Sequence, residues 1–288
     1  MLFPNHLILL RGGGDLATGV AYRLHKAGFP IVVLELADPL VVRRRVALAT
    51  AVREGHITVE DLRAVRVDSL DEALQLAATG TIPILVAPDL PAALLNPPPA
   101  TRHSPLLNSS LVTRHSSLTL IDARMAKRNL GTTIDQAPLV IALGPGYTAG
   151  VDCHAVIETN RGHRLGRVIW HGAAEANTGT PGIVAGKGAE RVLRAPAAGV
   201  VQWRKEIGDR VRQGEVLGEV AGQAVVAPFD GVARGLIAPG THVPAGLKIG
   251  DVDPRGDVAT CFTISEKALA IGGGVGEAVL TWLSAQKV

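Results

Sequence analysis

The 288-residue sequence predicts an α/β domain built on a parallel sheet, then a small all-β domain, then a C-terminal helix. Three observations carry this expectation. Strand-like and helix-like segments alternate from residue 7 to about residue 150, the pattern of strands crossing over through helices. A gapless internal repeat with a period of 32 residues occupies Ala195 to Val252. Helical sequence opens near Thr263 and resumes up to Ala285.

The first element organises the rest. Leu7–Leu10 is a short branched apolar run that reads as a buried strand, and after Arg11 it ends in Gly12–Gly13–Gly14. Helix-favouring residues follow through Ala27. Gly12-x-Gly14-x-x-Ala17 fits the dinucleotide pattern in its alanine form, which makes the expected domain Rossmann-like. In that pattern Gly12 allows a sharp turn, Gly14 lets backbone approach a pyrophosphate, and Ala17 brings the helix close to its strand. The helix amino-terminus offers N–H groups and partial positive charge to phosphates. Asp15 runs against this, since an acid there caps a helix but repels phosphate. A second strand, Ile31–Leu34, ends at Glu35, 23 positions beyond Gly12 and close to where an acid grips a ribose hydroxyl.

Farther on, Arg43–Glu54 reads as a helix, and Arg43–Arg44–Arg45 either meets a phosphate or, the commoner case, is a solvated helix start. Val59–Val67 holds a short strand, Ser69–Ala78 a helix with an acidic first turn, and Ile82–Ala87 another strand. Leu90–Ser117 is proline-rich and reads as a long loop. Leu118–Asp122 and Leu139–Leu143 return to strand, the latter ending in Gly144–Pro145–Gly146–Tyr147–Thr148. Ligands of open parallel sheets bind at the carboxyl ends of strands. The expected crevice therefore gathers Gly12, Gly13, Gly14, Asp15, Ala17, Glu35, Asp122, Lys127, Gly144, Gly146 and Thr148. A nucleotide carrying a ribose and phosphates, NAD among them, is the expected occupant. His154–Thr159 and Leu165–His171 form a hairpin. Its Asp152, Cys153, His154, Glu158, His163 and His171 match no zinc spacing and read as a chance cluster, so no metal is expected.

Composition bounds the function classes. Charge is +3, from 29 basic and 26 acidic residues, too even to argue for nucleic acid. Hydrophobic residues make up 47%, with 33 glycines and 18 prolines, which excludes a disordered chain. Two distant cysteines, Cys153 and Cys261, imply a reducing compartment. Arg11 interrupts the first apolar stretch before it could serve as a signal-peptide core, and no run reaches membrane-spanning length. A cytoplasmic protein with no membrane partner is expected; homo-oligomer formation is left open. The expected domains are 1–185, 186–255 and 256–288, the last packing back on the first.

In the repeat, Ala195–Pro196 falls on Ala227–Pro228, Gly199–Val200 on Gly231–Val232, Gly208 on Gly240, Val211 on Val243, and Gly218 on Gly250. Two such units imply a small two-fold-like β-structure. The repeat resembles the biotinyl/lipoyl carriers and their barrel-sandwich hybrid relatives. The carriers present a modified lysine on a central hairpin. Here that hairpin reads Val220–Ala221–Gly222–Gln223–Ala224, so the resemblance implies the fold without biotin or lipoate attachment. Thr263-x-x-Glu266 reads as a capping box, and Gly272–Gly273–Gly274 as an interruption before Glu277–Ala285.

Over nearly its full length the chain resembles the accessory proteins encoded with selenium-dependent molybdenum hydroxylases. The segments that carry the resemblance are Gly12–Val20, Leu143–Gly150, Val156–Gly166, Arg191–Pro196 and Lys248–Arg255. It implies a place in molybdenum hydroxylase maturation; joined to the expected crevice, that gives a maturation factor binding NAD or a nucleotide-bearing molybdopterin together with a client molybdenum hydroxylase. The alternative is an NAD-dependent oxidoreductase in cofactor maturation or selenium chemistry. No acid–base or nucleophile–base set stands out in the sequence.

Overall fold

The computed structural model describes residues 1–91, 94, 117–177, 179 and 182–286. The expected loop over 90–117 lies almost wholly outside the described residues. The chain forms two compact units, one of residues 1–39, 48–177 and 265–288, the other of 40–47 and 178–264.

The first unit is built on β1 (His6–Arg11), β2 (Ile31–Glu35), β3 (His56–Val59), β4 (Leu62–Val67), β5 (Ile82–Val86), β6 (Ser117–Asp122), β7 (Leu139–Leu143), β8 (Thr148–Ala149), β9 (Ala155–Ile157), β10 (Val168–Ile169) and β11 (Gly172–Ala173). Nine of these strands join in the order β10-β9-β7-β6-β1-β2-β5-β4-β3, while β8 and β11 pair separately. The seven inner strands run parallel, and β3 and β10 close the edges antiparallel. Central strands β1, β2 and β7 are buried throughout, which explains their continuous apolar sequence.

This corrects the expected Rossmann-like parallel domain: the sheet is mixed, bordered by a hairpin on each side. On one side Glu60, at φ 55°, turns β3 directly back into β4, so the expected single strand over 59–67 is half of an antiparallel pair. The expected helix over 43–54 is also corrected. Only α2 (Ala51–Glu54) is helical there, preceded by two 3-10 turns, and residues 40–47 belong to the other unit. α3 (Leu70–Ala77) is capped by Ser69, whose hydroxyl accepts from Glu72 N at 3.2 Å.

α1 (Asp15–Lys26) follows the glycine loop and packs on α4 (Glu266–Ala285). α4 runs unbroken for 20 residues, and its cap is Ser265, accepting from Ala268 N, in place of Thr263. The three glycines do not interrupt it; they let backbone approach. A Cβ on Gly272 would stand 2.3 Å from the Gly19 carbonyl oxygen, and one on Gly274 2.0 Å from that of Gly166. Gly19 answers in kind, its Cβ position lying 2.3 Å from the Ala268 oxygen. By length and composition α4 is also apolar enough to cross a membrane, contrary to expectation, although Ala268, Ile271, Val275, Ala278 and Val279 are buried within the unit.

The second unit contains β12 (Val192–Arg194), β13 (Gly199–Trp203), β14 (Arg210–Val211), β15 (Val216–Val220), β16 (Gln223–Val226), β17 (Gly231–Leu236), β18 (His242–Val243) and β19 (Lys248–Asp253). The 32-residue repeat maps β13, β14 and β15 onto β17, β18 and β19. The two copies exchange partners: Gly199 pairs with Val243, and Gly231 with Val211. Two four-stranded antiparallel sheets result, β12-β19-β17-β14 and β16-β15-β13-β18, around a core that includes Val201, Leu217, Val232 and Ile249. The expected barrel-sandwich hybrid is corrected to this pair of open sheets. Residues 40–47 dock on them: Arg44 is buried and its Nε donates to the Leu236 carbonyl at 2.8 Å. Arg43 donates to the Thr260 carbonyl at 3.1 Å. Arg43 and Arg44 are thus engaged with backbone carbonyls, Arg45 alone of the run is exposed, and a 3-10 turn replaces the expected helix start.

Candidate functional site

The carboxyl ends of β1 and β6 meet at the glycine loop that leads into α1, and the first turn of α4 lies within electrostatic range of the first turn of α1. α1 begins at Gly14, which has no side chain with which to cap it. Gly12 has φ +93°, and a Cβ there would stand 3.2 Å from the Ala123 backbone. Gly13 is equally confined, 2.9 Å from Ala49 N, and its carbonyl accepts from that nitrogen at 2.8 Å. Both glycines therefore serve the approach of neighbouring chain. Ala17 is buried under the helix.

Glu35, expected on a ribose, turns inward to the loop. One carboxylate oxygen accepts from Gly13 N at 2.8 Å and the other from Leu36 N at 2.7 Å. The carboxylate thereby fixes the glycine turn against the end of β2.

Asp122 is fully buried at the end of β6 and anchors a polar network. Arg124 grips it in bidentate fashion, Nη2 to Oδ2 at 2.5 Å and Nε to Oδ1 at 3.1 Å. The Thr132 hydroxyl donates to the same Oδ2 at 2.5 Å, and Arg11 Nη1 reaches that hydroxyl at 3.4 Å. Burial would raise the Asp122 carboxyl, but the hydrogen bonds from Arg124 and Thr132 outweigh it and hold the group below its ordinary value. Tyr147 lies buried beside this pair, its hydroxyl pushed up by burial and then by the Asp122 charge. From Thr132 the network continues through Asn129, whose amide donates to the Thr132 carbonyl at 2.8 Å and to Asp152 at 3.1 Å. Asp152 in turn accepts from Thr148 N at 2.7 Å.

This bracing holds a strained loop. Met125 and Lys127 both adopt positive φ, 55° and 61°. Gly146 makes room for the loop, since a Cβ would meet the backbone of Lys127 and Arg128 at 2.6–2.7 Å. Gly144 likewise accommodates the Thr159 side chain, 2.4 Å from where its Cβ would be. Lys127 is left exposed in the loop that follows β6. Of the expected residues, the glycines, Asp122 and Thr148 are thus structural supports, and Lys127 is presented to solvent.

The most telling side chain was not legible in the sequence. Lys267, in the first turn of α4, is half-buried within electrostatic range of Asp15, Glu158, Lys127 and Arg161. It makes no hydrogen bond or ion pair with any described residue. Burial lowers its ammonium, Arg161 and Lys127 lower it further, and Asp15 and Glu158 pull the other way. A cation in the first turn also opposes the helix dipole. The available signal was that anomaly: a lysine directly behind a helix cap.

The hairpin polar cluster disperses. His154 Nδ1 accepts from Val140 N at 3.0 Å, and Cys153 is fully buried with its thiol pushed up to about 12 by burial and Asp152. Among the described residues no group of three or more His, Cys, Asp or Glu is placed to hold a metal.

No family model matches the chain. It is 46% identical over 285 residues to a protein of Escherichia coli K12 described as "Uncharacterized protein YqeB", covering 97% of this chain. It spans only about half the length of that relative, 49%. A succinylglutamate desuccinylase/aspartoacylase from Rhodobacter sphaeroides overlaps at 24% identity, 30% of each chain and a TM-score of 0.21. An aspartoacylase family protein from Mesorhizobium loti overlaps at 13% identity, 86% of this chain, 84% of the other and a TM-score of 0.25. The product-bound ectoine utilization protein EutE (DoeB) from Ruegeria pomeroyi gives 12%, 85%, 84% and 0.25. Overlaps this slight carry no argument about activity. Neither the relative nor these structures is described as a molybdenum hydroxylase accessory factor or an NAD-dependent oxidoreductase. Both expectations are corrected accordingly and dropped.

Proposed function

We propose that the first unit binds a small anionic molecule at the carboxyl ends of its parallel strands, its phosphate or carboxylate held between the α1 amino-terminus, Lys267 and Lys127. The observation that carries this is Lys267: an ammonium partly withdrawn from water, repelled by Lys127 and Arg161, with no direct partner among the described residues. An anion relieves that repulsion and accepts from the first-turn N–H groups that Gly14 leaves uncapped. Asp15 limits how much negative charge the site accepts, which favours a single anionic group near it. The pyrophosphate of NAD and of other nucleotides belongs to the class to be tested, alongside simpler anions. Thermal shift with inorganic phosphate, pyrophosphate, NAD and malonate provides the test. At least one should raise the melting temperature of the parent protein and leave Lys267→Met unmoved. Equal shifts in both proteins, or none in either, would refute it.

A further inference from the structure

Beyond the strand ends, the hairpin after β9 encloses a cavity of about 240 Å³ lined by Glu158, Arg164, Arg167, Ile169, Ala173, Ala174 and Glu175. Its two acids and two arginines do not neutralise one another. Glu158 is buried and fully engaged with backbone, accepting from Asn160 N at 2.7 Å and from Glu175 N at 2.8 Å. Glu175 accepts from the Asn160 side chain at 2.6 Å through one oxygen only. Neither the Arg164 nor the Arg167 guanidinium makes a hydrogen bond or ion pair with any described residue. Two unspent guanidinium forks on one small cavity are suited to a carboxylate, which they bind in bidentate fashion.

We infer that this cavity binds a small α-amino acid. The arginine pair takes the carboxylate, the free oxygen of Glu175 takes the ammonium, and the short apolar side chain lies on Ile169, Ala173 and Ala174. At about 240 Å³ the cavity lies below the roughly 300–1,000 Å³ of pockets for drug-sized ligands, a volume suited to a small amino acid. The inference does not depend on the anion site at Lys267.

Calorimetry on the full chain tests it with three probes: L-valine, isobutyrate (carboxylate without amine) and isobutylamine (amine without carboxylate). L-Valine should bind, isobutyrate about tenfold or more weaker, and isobutylamine not at all. Arg164→Ala/Arg167→Ala should abolish valine binding, and because both side chains are exposed it should unfold at the parent temperature. Glu175→Gln should retain isobutyrate binding while losing the preference for valine. Lys267→Met should bind valine as the parent does, which separates this cavity from the strand-end site. Failure of valine to bind the parent, or undiminished binding by the double variant, would overturn the inference.

Discussion

Replacing Gly274 by alanine, and separately its neighbour Gly273, tests whether the glycine run in α4 exists for close packing. Alanine in a helix interior is favoured over glycine by about 1 kcal/mol through propensity alone. Gly273 has nothing within 4 Å of its Cβ position, so Gly273→Ala should gain about that 1 kcal/mol. At Gly274 the new methyl would lie 2.0 Å from the Gly166 carbonyl oxygen, 3.0 Å from its carbon and 3.1 Å from Ile157 Cγ2. Two of those three atoms are backbone, so the strain cannot be relieved by rotating a side chain. Overpacking of this kind costs roughly 1–3 kcal/mol, and contact with rigid backbone places this case toward the upper end. The propensity gain offsets part of it, leaving Gly274→Ala about 1–2 kcal/mol less stable than the parent. Adjacent substitutions of one chemistry should therefore move stability in opposite directions. Urea unfolding followed by far-ultraviolet circular dichroism would show this as midpoints on either side of the parent's. A Gly274→Ala midpoint at or above that of Gly273→Ala would refute the close-approach account of α4.

Four further outcomes are expected. Asp122→Asn leaves Arg124 partly buried without its counter-charge and should cost about 3 kcal/mol or more at neutral pH. The Asp122 carboxyl lies below its unfolded value, so its stabilisation is complete above the ordinary aspartate range and disappears as pH falls through the folded-state value. The gap between parent and variant in urea midpoint should close accordingly in acid. Lys267 lies below its unfolded value, so the unfolded chain holds the proton more tightly and stability rises with pH in that window. Lys267→Met should gain most over the parent at neutral pH and lose the advantage toward pH 10.5. For the same reason, anion affinity of the parent, measured calorimetrically, should fall as pH rises past the depressed value. Gly146→Ala, at φ +102° and against the Lys127–Arg128 backbone, should displace that loop and weaken anion binding, while an unchanged affinity would remove Lys127 from the site.

The sequence by itself determined the local elements whose cause is local. Branched apolar runs became buried parallel strands at β1, β2 and β7, because a strand covered on both faces has only apolar neighbours to satisfy. The 32-residue repeat became strand-for-strand correspondence in the second unit, because homologous half-sites bury one another. Tertiary structure decided what each glycine and each charge was for. Gly12, Gly13, Gly272 and Gly274 have the same sequence signature whether the close neighbour is a phosphate or another stretch of backbone, and here backbone occupies that space. Glu35 stands at the expected strand end, yet two backbone N–H groups claim its oxygens, a contact that only three-dimensional proximity creates. Lys267 is separated from Asp15 by more than 250 residues of chain, and the charges around it, Asp15, Glu158, Lys127 and Arg161, come together only in the folded first unit. Periodicity records which face of an element is apolar. It does not record which remote element covers that face, and that covering sets the electrostatics of the site.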